Sequence, residues 1–358
     1  MPALAIAALL RERAPDVEPV LVGARRGIEA ELLSRRPFRY HLLPAEPIYR
    51  RQWWKNARWP VVLPSLYRGL RGVFGLERPA AVLGTGGYAS APVVWWALRS
   101  RIPVAIQEQN AFPGLVTRRF ARRARHVYLG LPEAERHLRL GSNTELYVTG
   151  NPIAPPTPED RPAARQRMGI GVDQFTLLVT GGSQGAQAIN QAVGAWLDAG
   201  GTTGVTLVWV TGRAGWERFK RYHAPPSVQV IDFLDPMAYG YAAADAVVSR
   251  AGALTVAELC AWGLPSVLVP LPSAAADHQT RNAEAMEQSG AAWHLAQQRL
   301  DGASLAAAIE RLQSQPETRR AMGRAARERG RPDAAVQIVS HLLALLEPVG
   351  VSQLTEPS

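Results

Sequence analysis

Two glycine-rich loops in this chain carry the residue types and spacing for binding anions. One reads Gly84-Thr85-Gly86-Gly87-Tyr88-Ala89-Ser90-Ala91-Pro92, the other Gly181-Gly182-Ser183-Gln184-Gly185-Ala186. Each follows a short apolar run (residues 80–83 and 175–180) and precedes a stretch with helical spacing. A strand, a glycine turn and a helix start make an anion site. The first helical N–H groups have no partner within the helix, and the helix dipole favours negative charge there. Glycine lets the backbone approach a phosphate closely. Two such loops about a hundred residues apart predict two α/β lobes that present phosphate-binding backbone to a shared cleft.

Three polar clusters add chemistry. Ala251-Gly252-Ala253-Leu254-Thr255-Val256-Ala257-Glu258 reads as another helix start, and Glu258 could accept from the paired hydroxyls of a ribose or cap the helix dipole. Asp277-His278-Gln279-Thr280-Arg281-Asn282 follows a strand-ending Val269-Pro270-Leu271-Pro272, where α/β sheets bind ligands, and its side chains suit a polyhydroxyl group. Gln107-Glu108-Gln109-Asn110 follows the apolar run 104–106, and Glu108 is its one carboxylate, a candidate acid or base if buried. Gly181-Gly182-Ser183-Gln184-Gly185 also fits the G-x-S-x-G nucleophile elbow, with Asp245 or Asp277 and His278 or His294 available to complete a triad. No D-x-D pair and no His/Asp cluster with ligand spacing occurs, so neither a dedicated metal site nor a cofactor is expected.

These loops need a scaffold. A chain of 358 residues, 47% apolar and 20% charged, is long enough for two cores. Short apolar runs alternate with helical patterns in both halves, which predicts parallel sheets covered by helices. The strands are expected at 20–22, 81–83, 104–106 and 127–129, then at 175–180, 205–211, 228–233, 246–249 and 266–269. The proline cluster Asn151-Pro152-Ile153-Ala154-Pro155-Pro156-Thr157-Pro158 reads as the interdomain linker. Residues 335–346 show the spacing of a tail helix. Residues 1–10 read as an apolar helix where a strand and turn would ordinarily open such a lobe. The single cysteine, Cys260, rules out an intrachain disulfide framework and fits a reducing cytoplasm. No apolar stretch reaches the roughly 18 residues of a transmembrane helix, and no signal peptide is evident.

Charge is unevenly placed. Residues 1–150 hold 23 Lys and Arg against 11 Asp and Glu, whereas the remainder holds 17 against 19. A basic N-terminal half points to an anionic partner. Within it, Arg50-Arg51-Gln52-Trp53-Trp54-Lys55-Asn56-Ala57-Arg58-Trp59 mixes aromatic rings with cations. Anionic lipid headgroups and nucleic acid would each accept that mixture, and a core helix with a basic face would also produce it. Pro60 and Pro64 argue against one regular helix here.

Taken in order, the Gly84–Pro92 loop, Gln107–Asn110, Gly150-Asn151-Pro152, the Gly181–Ala186 loop, Ala253–Glu258 and Asp277–Asn282 resemble the MurG family of bacterial glycosyltransferases across nearly the whole chain. Those enzymes add GlcNAc from UDP-GlcNAc to lipid I, giving lipid II in peptidoglycan synthesis. The resemblance implies an α/β, GT-B fold: two Rossmann-like lobes with parallel sheets and an interlobe cleft. It implies an acceptor- and membrane-facing lobe at 1–150, a UDP-GlcNAc lobe at 151–334, and a helix and tail at 335–358. For the donor it implies Leu234 at uracil, Glu258 at ribose, Ser183 at the diphosphate, the helix start Ala253, Leu254, Thr255 and Val256 beside it, and Gln279 with His278 at the sugar. Asn110 would reach the same sugar. Gly84, Gly86, Gly87, Tyr88 and Gln107 would face the lipid-linked diphosphate. Trp53, Trp54, Arg58 and Trp59 would rest on the cytoplasmic face of the cell membrane, with no nucleic acid partner. The implied reaction is inverting transfer to the MurNAc 4-hydroxyl.

The chain departs from the family pattern in three places. It begins at Met1-Pro2-Ala3-Leu4-Ala5, just past the point where the family has a first strand, a third glycine loop and a histidine. The expectation is a misplaced start codon, and the catalytic base is unassigned. Gln107 stands where the family has histidine, and Ala154 where an arginine commonly follows Asn-Pro-x. Alternative readings are another UDP-sugar lipid glycosyltransferase, or a catalytically impaired nucleotide-sugar binder.

Overall fold

A computed structural model of the chain describes residues 2–47, 53–156, 161–182 and 186–346. The chain divides into two compact units, one of residues 1–109, 113–152 and 333–358, the other of residues 110–112 and 153–332.

The first unit opens on helix α1 (Pro2–Arg13), followed by β1 (Leu21–Ala24), α2 (Ile28–Ser34) and β2 (Tyr40–Leu43). Next come α3 (Trp59–Glu77), β3 (Val82–Gly84), α4 (Gly87–Arg99), β4 (Val104–Glu108), α5 (Leu115–Phe120), β5 (His126–Leu129) and β6 (Glu145–Tyr147). Its strands form a parallel pair β1-β2 and a parallel four-stranded sheet β3-β4-β5-β6. Every residue of β4 is buried, as a central parallel strand requires.

The second unit holds α6 (Arg161–Arg167), β7 (Phe175–Thr180), α7 (Gln187–Asp198), β8 (Val205–Val210), α8 (Arg213–Phe219), β9 (Val228–Ile231) and α9 (Ala238–Ala243). It continues through β10 (Ala246–Ser249), α10 (Ala253–Trp262), β11 (Ser266–Leu268), α11 (His278–Gln288), β12 (Ala292–His294), α12 (Gly302–Ser314) and α13 (Pro316–Arg329). The six strands lie in the order β12-β11-β10-β7-β8-β9, all parallel. The central runs Phe175–Thr180 and Val205–Val210 are apolar almost throughout because helices cover both faces. The last helix, α14 (Ala334–Leu346), returns to the first unit, where Ile338, Val339 and Leu342 share a core with Ile6, Ala105 and Tyr128.

Three strands are not evident from the sequence pattern: β2, β6 and β12. They are three or four residues long, too short to show a period. The aromatic segment is not one regular helix: residues 53–58 form a 3-10 turn and α3 starts beside Pro60, but α3 then runs on through Pro64. Pro60 occupies the second helical position, whose N–H has no helical partner anyway. Pro64 and Pro60 are both exposed, so the carbonyl that Pro64 leaves without a helical donor lies on the solvent side. On the other side of α3, Leu66 and Leu70 are buried.

The polar run 107–110 divides between strand and loop, with Gln109 and Asn110 in the loop. Gln107 and Glu108 are the buried end of β4. The Glu108 carboxylate accepts from the Gly114 N–H at 2.8 Å and from the Thr117 hydroxyl at 2.6 Å, so it caps α5. That occupation corrects its candidacy as acid or base. Glu108→Ala should lower the stability of the first unit by about 1–3 kcal/mol in denaturant titration, because it strands the buried Thr117 hydroxyl and uncaps the start of α5. A catalytic base would instead lose turnover by roughly 10²–10⁴-fold with unfolding unchanged.

Candidate functional site

In the second unit, a cavity of about 670 Å³ opens at the carboxyl ends of the central strands. It is lined by Gly181 and Gly182 after β7, Arg250 and Gly252 after β10, Leu271 after β11, and Gln279 on α11. Parallel α/β sheets place ligands at this edge because every strand there hands over to a helix start.

Gly182 has φ +81°, a left-handed conformation that favours glycine, and it turns the chain from β7 toward α7. Residues 183–185, and with them the Ser183 assigned to the diphosphate, lie outside the described residues. Asn190 holds α7 in place. It is buried, its amide nitrogen donates to the Thr211 carbonyl at 2.8 Å, and its oxygen accepts from the Trp209 indole at 2.9 Å. Gln187 and Gln191 of α7 then line the cavity.

Helix α10 begins at Gly252, which has no side chain with which to cap its own helix. Its positive end, with Thr255 in the first turn, faces the cavity beside Arg250. Arg250 donates to the Val269 and Pro270 carbonyls at 3.1 Å each, and burial lowers its pKa without discharging it. Val256 corrects the sequence expectation. Its side chain is buried and its N–H already pairs with the Gly252 carbonyl, so a ligand can use neither.

Helix α9 gathers the residues expected at uracil and ribose. Gly240 meets the Leu234 side chain, and a Cβ added there would lie 2.8 Å from Leu234 Cδ2. The neighbouring Tyr241 hydroxyl donates to Glu258 Oε2 at 2.7 Å. Burial raises the Glu258 pKa, and the Tyr241 hydrogen bond opposes that in part. Tyr241 is raised well above its ordinary value, first by burial and then by the Glu258 charge.

Gln279 lines the cavity, and its carbonyl accepts from the Leu271 N–H at 3.0 Å. His278 is half-buried, with Nδ1 tied to the Ala275 carbonyl. Asn110 belongs by its contacts to this second unit and not to the N-terminal one. Fully buried Asn282 accounts for that placement. Its oxygen accepts from the Ala111 N–H at 2.9 Å, and its nitrogen donates to Asn110 Oδ1 at 3.2 Å and to the Ala251 carbonyl at 3.0 Å. One side chain thereby fixes Asn110 and the start of α10 together. Ser/His/Asp chemistry finds no support from Asp245, which precedes β10 at the opposite edge of the sheet and pairs with Arg161 and Arg165.

In the first unit, the Gly84 loop has the same strand–turn–helix form. A Cβ on Gly84 would lie 2.7 Å from Val94 Cγ2, while Gly86 and Gly87 have φ of +83° and +76°. The Gln109 amide donates to the Thr85 carbonyl at 3.0 Å, and the Tyr88 hydroxyl donates to the Arg26 carbonyl at 2.6 Å. Gln107 corrects the expectation of a direct ligand contact. It is fully buried and donates to Asn151 Oδ1 at 2.9 Å, while Gln109 donates to its oxygen. Its place is behind the loop, orienting Gln109 and Asn151.

The aromatic segment also sorts by burial. Trp54, Val61, Leu63 and Tyr67 are exposed, Val61 by 80%. Trp59 corrects its assignment to the surface, because it packs on the core of Ala24, Leu43, Leu66 and Leu70. Arg58 pairs with Glu46 at 3.6 Å, and the Trp53 side chain lies outside what is described.

The glycosyltransferase family 28 N-terminal domain matches residues 1–129, and the family 28 C-terminal domain matches residues 176–338. A UDP-N-acetylglucosamine–N-acetylmuramyl-(pentapeptide) pyrophosphoryl-undecaprenol N-acetylglucosamine transferase of Moorella thermoacetica is 38% identical, over 97% of this chain and 95% of the relative. The transferase of the same name from Salinibacter ruber is 39% identical over 97% and 93%. The crystal structure of Acinetobacter baumannii MurG superposes with a TM-score of 0.78 at 26% identity, covering 96% of this chain and 95% of that one. With two family 28 domains in sequence, parallel sheets in both units and relatives matched almost end to end, the chain is a GT-B glycosyltransferase and belongs to the MurG family.

Proposed function

We propose that the cavity at the carboxyl edge of the second unit's sheet is the UDP-GlcNAc site. The chain transfers GlcNAc from this donor to the MurNAc 4-hydroxyl of lipid I with inversion, giving lipid II. The observation that carries the reading is the meeting of three diphosphate-stabilising features in one cavity: the Gly181-Gly182 turn, the start of α10, and the Arg250 guanidinium. Negative charge grows on the departing UDP as the glycosidic bond breaks. Oriented amides and a fixed guanidinium stabilise it without having to reorganise. Glu258 accepts from the ribose hydroxyls, Leu234 borders the uracil, and Gln279 donates to the sugar. In the first unit, the Gly84 loop faces the diphosphate of the acceptor.

The same reading has a pH signature. Ribose hydroxyls donate to the charged Glu258, so donor binding favours the deprotonated form, whereas burial favours the protonated one. As pH falls through the raised Glu258 pKa, donor affinity should fall, and at a higher pH than an exposed glutamate would produce. Glu258→Gln should raise KM for UDP-GlcNAc by about tenfold to a hundredfold, the worth of charge-assisted hydrogen bonds, and flatten this acid limb. An unchanged KM in UDP-release kinetics would remove Glu258 from the donor site.

The exposed apolar residues of the aromatic segment and α3 support peripheral membrane association on the cytoplasmic side. Among the described residues no helix is long and apolar enough to cross a bilayer. Val61, Leu63, Tyr67 and Trp54 are the exposed apolar side chains that would insert, and the surplus of arginine in the N-terminal half adds attraction to anionic lipid. Each apolar side chain fully buried contributes roughly 1.5–3 kcal/mol, so Val61→Asp with Leu63→Asp should weaken co-sedimentation with anionic vesicles at least about tenfold. UDP-GlcNAc affinity should not change. Equal vesicle binding by the variant would locate the membrane contact elsewhere.

A further inference from the structure

A second cavity, of about 600 Å³, lies in the same unit at the amino ends of the strands, the edge opposite the donor site. Gln174 and Phe175 line it where β7 begins, Asp245 just before β10 and Pro265 just before β11. Strand β7 is six residues long, so the two cavities are roughly 20 Å apart. The size is ordinary for a small-molecule site, but the lining is not, because among the described residues Arg161, Arg165, Arg319, Arg320, Arg324 and Arg327 converge on it against two carboxylates, Asp173 and Asp245. Residues 151–358 as a whole carry slightly more acid than base, yet six of their 17 cations are gathered here.

Two of the arginines are accounted for structurally. Arg165 is buried and donates to Asp245 at 2.7 Å and to the Ala243 carbonyl at 3.1 Å, and Arg161 pairs with the same aspartate. A third, Arg320, pairs with Glu317. The others are held in place without a carboxylate partner among the described residues. Arg319 donates to the Gln313 carbonyl at 2.9 Å and lies 5.0 Å over the Phe175 ring. The Arg327 stem packs against Gly263, whose left-handed φ of +66° ends α10. Arg324 is exposed on the same face of α13. Burial and the neighbouring guanidiniums lower the pKa of both Arg165 and Arg319. Positions 316, 319, 320, 323, 324 and 327 share one helical face, and like charges at these spacings destabilise a helix. The close approach of α13 nevertheless brings that face to the cavity, since a Cβ on Gly323 would lie 2.9 Å from the Gly263 carbonyl oxygen.

We propose that this cavity is a second binding site, separate from the donor site, for a multiply charged phosphate group such as a diphosphate or a phosphomonoester. Guanidinium forks match phosphate oxygens two at a time, and a bound polyanion would relieve the repulsion along α13. The ligand is either a soluble phosphate compound or a phosphorylated lipid headgroup. Calorimetric titration of pyrophosphate into the full chain, with saturating UDP present, tests the proposal. It should show one saturable site whose affinity falls with salt. Arg324→Glu should weaken that site at least tenfold and leave UDP affinity unchanged. Arg324→Gln, at an exposed position that breaks no ion pair among the described residues, should weaken it less. Vesicles containing phosphatidic acid identify the source: a drop in Arg324→Glu binding to them assigns a lipid headgroup, and equal binding assigns a soluble anion. Pyrophosphate heats that never saturate, or a site of equal affinity in wild type and Arg324→Glu, would overturn the proposal.

Discussion

The geometry of the proposed donor site depends on one constraint: the central strands of a parallel sheet all deliver their chains to the same edge. Strands β7 and β10 are hydrogen-bonded neighbours, with Thr180 paired to Ser249, so the turns that follow them are forced side by side. A helix starts after each turn, and helix starts are the one place in a folded backbone where several N–H groups point outward with no internal partner. A diphosphate offers those groups the acceptors they lack. The backbone supplies these donors, so Gly181, Gly182 and Gly252 can stand in the cavity wall.

Side chains enter as braces. Asn190 ties α7 to β8, Asn282 ties residues 110–112 to the start of α10, and Gln107 with Asn151 backs the loop of the first unit. Each is a buried amide with both ends engaged. A buried amide that lost one partner would keep the desolvation cost without the compensating bond, so such residues hold geometry more sharply than apolar packing does. The same logic explains why Glu108, which suits proton transfer by residue type, is occupied by α5.

The sequence made the backbone-built features legible. Glycine turns after apolar runs, helix starts at Gly87 and Ala253, and the acidic residue of α10 at Glu258 follow from local rules. What stayed hidden was the use of side chains by distant elements. Tyr241 lies 17 residues from Glu258, and Asn282 lies 172 residues from Asn110, so no spacing rule connects them. Trp59 and Trp54 share a residue type and a segment, yet Trp59, at the start of α3, packs against a core, and Trp54, in the 3-10 turn before it, is exposed. The apolar run ends at Ile106, so nothing local extends the strand to Gln107 and Glu108; their burial follows from pairing with β5 on one side and capping on the other.

The most direct test of the account is the crystal structure of this chain with UDP bound. The account predicts the diphosphate against the Gly181-Gly182 turn and the first turn of α10, within hydrogen-bonding reach of Arg250, with the ribose hydroxyls on Glu258. A diphosphate bound elsewhere in the chain, or a ribose turned away from Glu258, would contradict it.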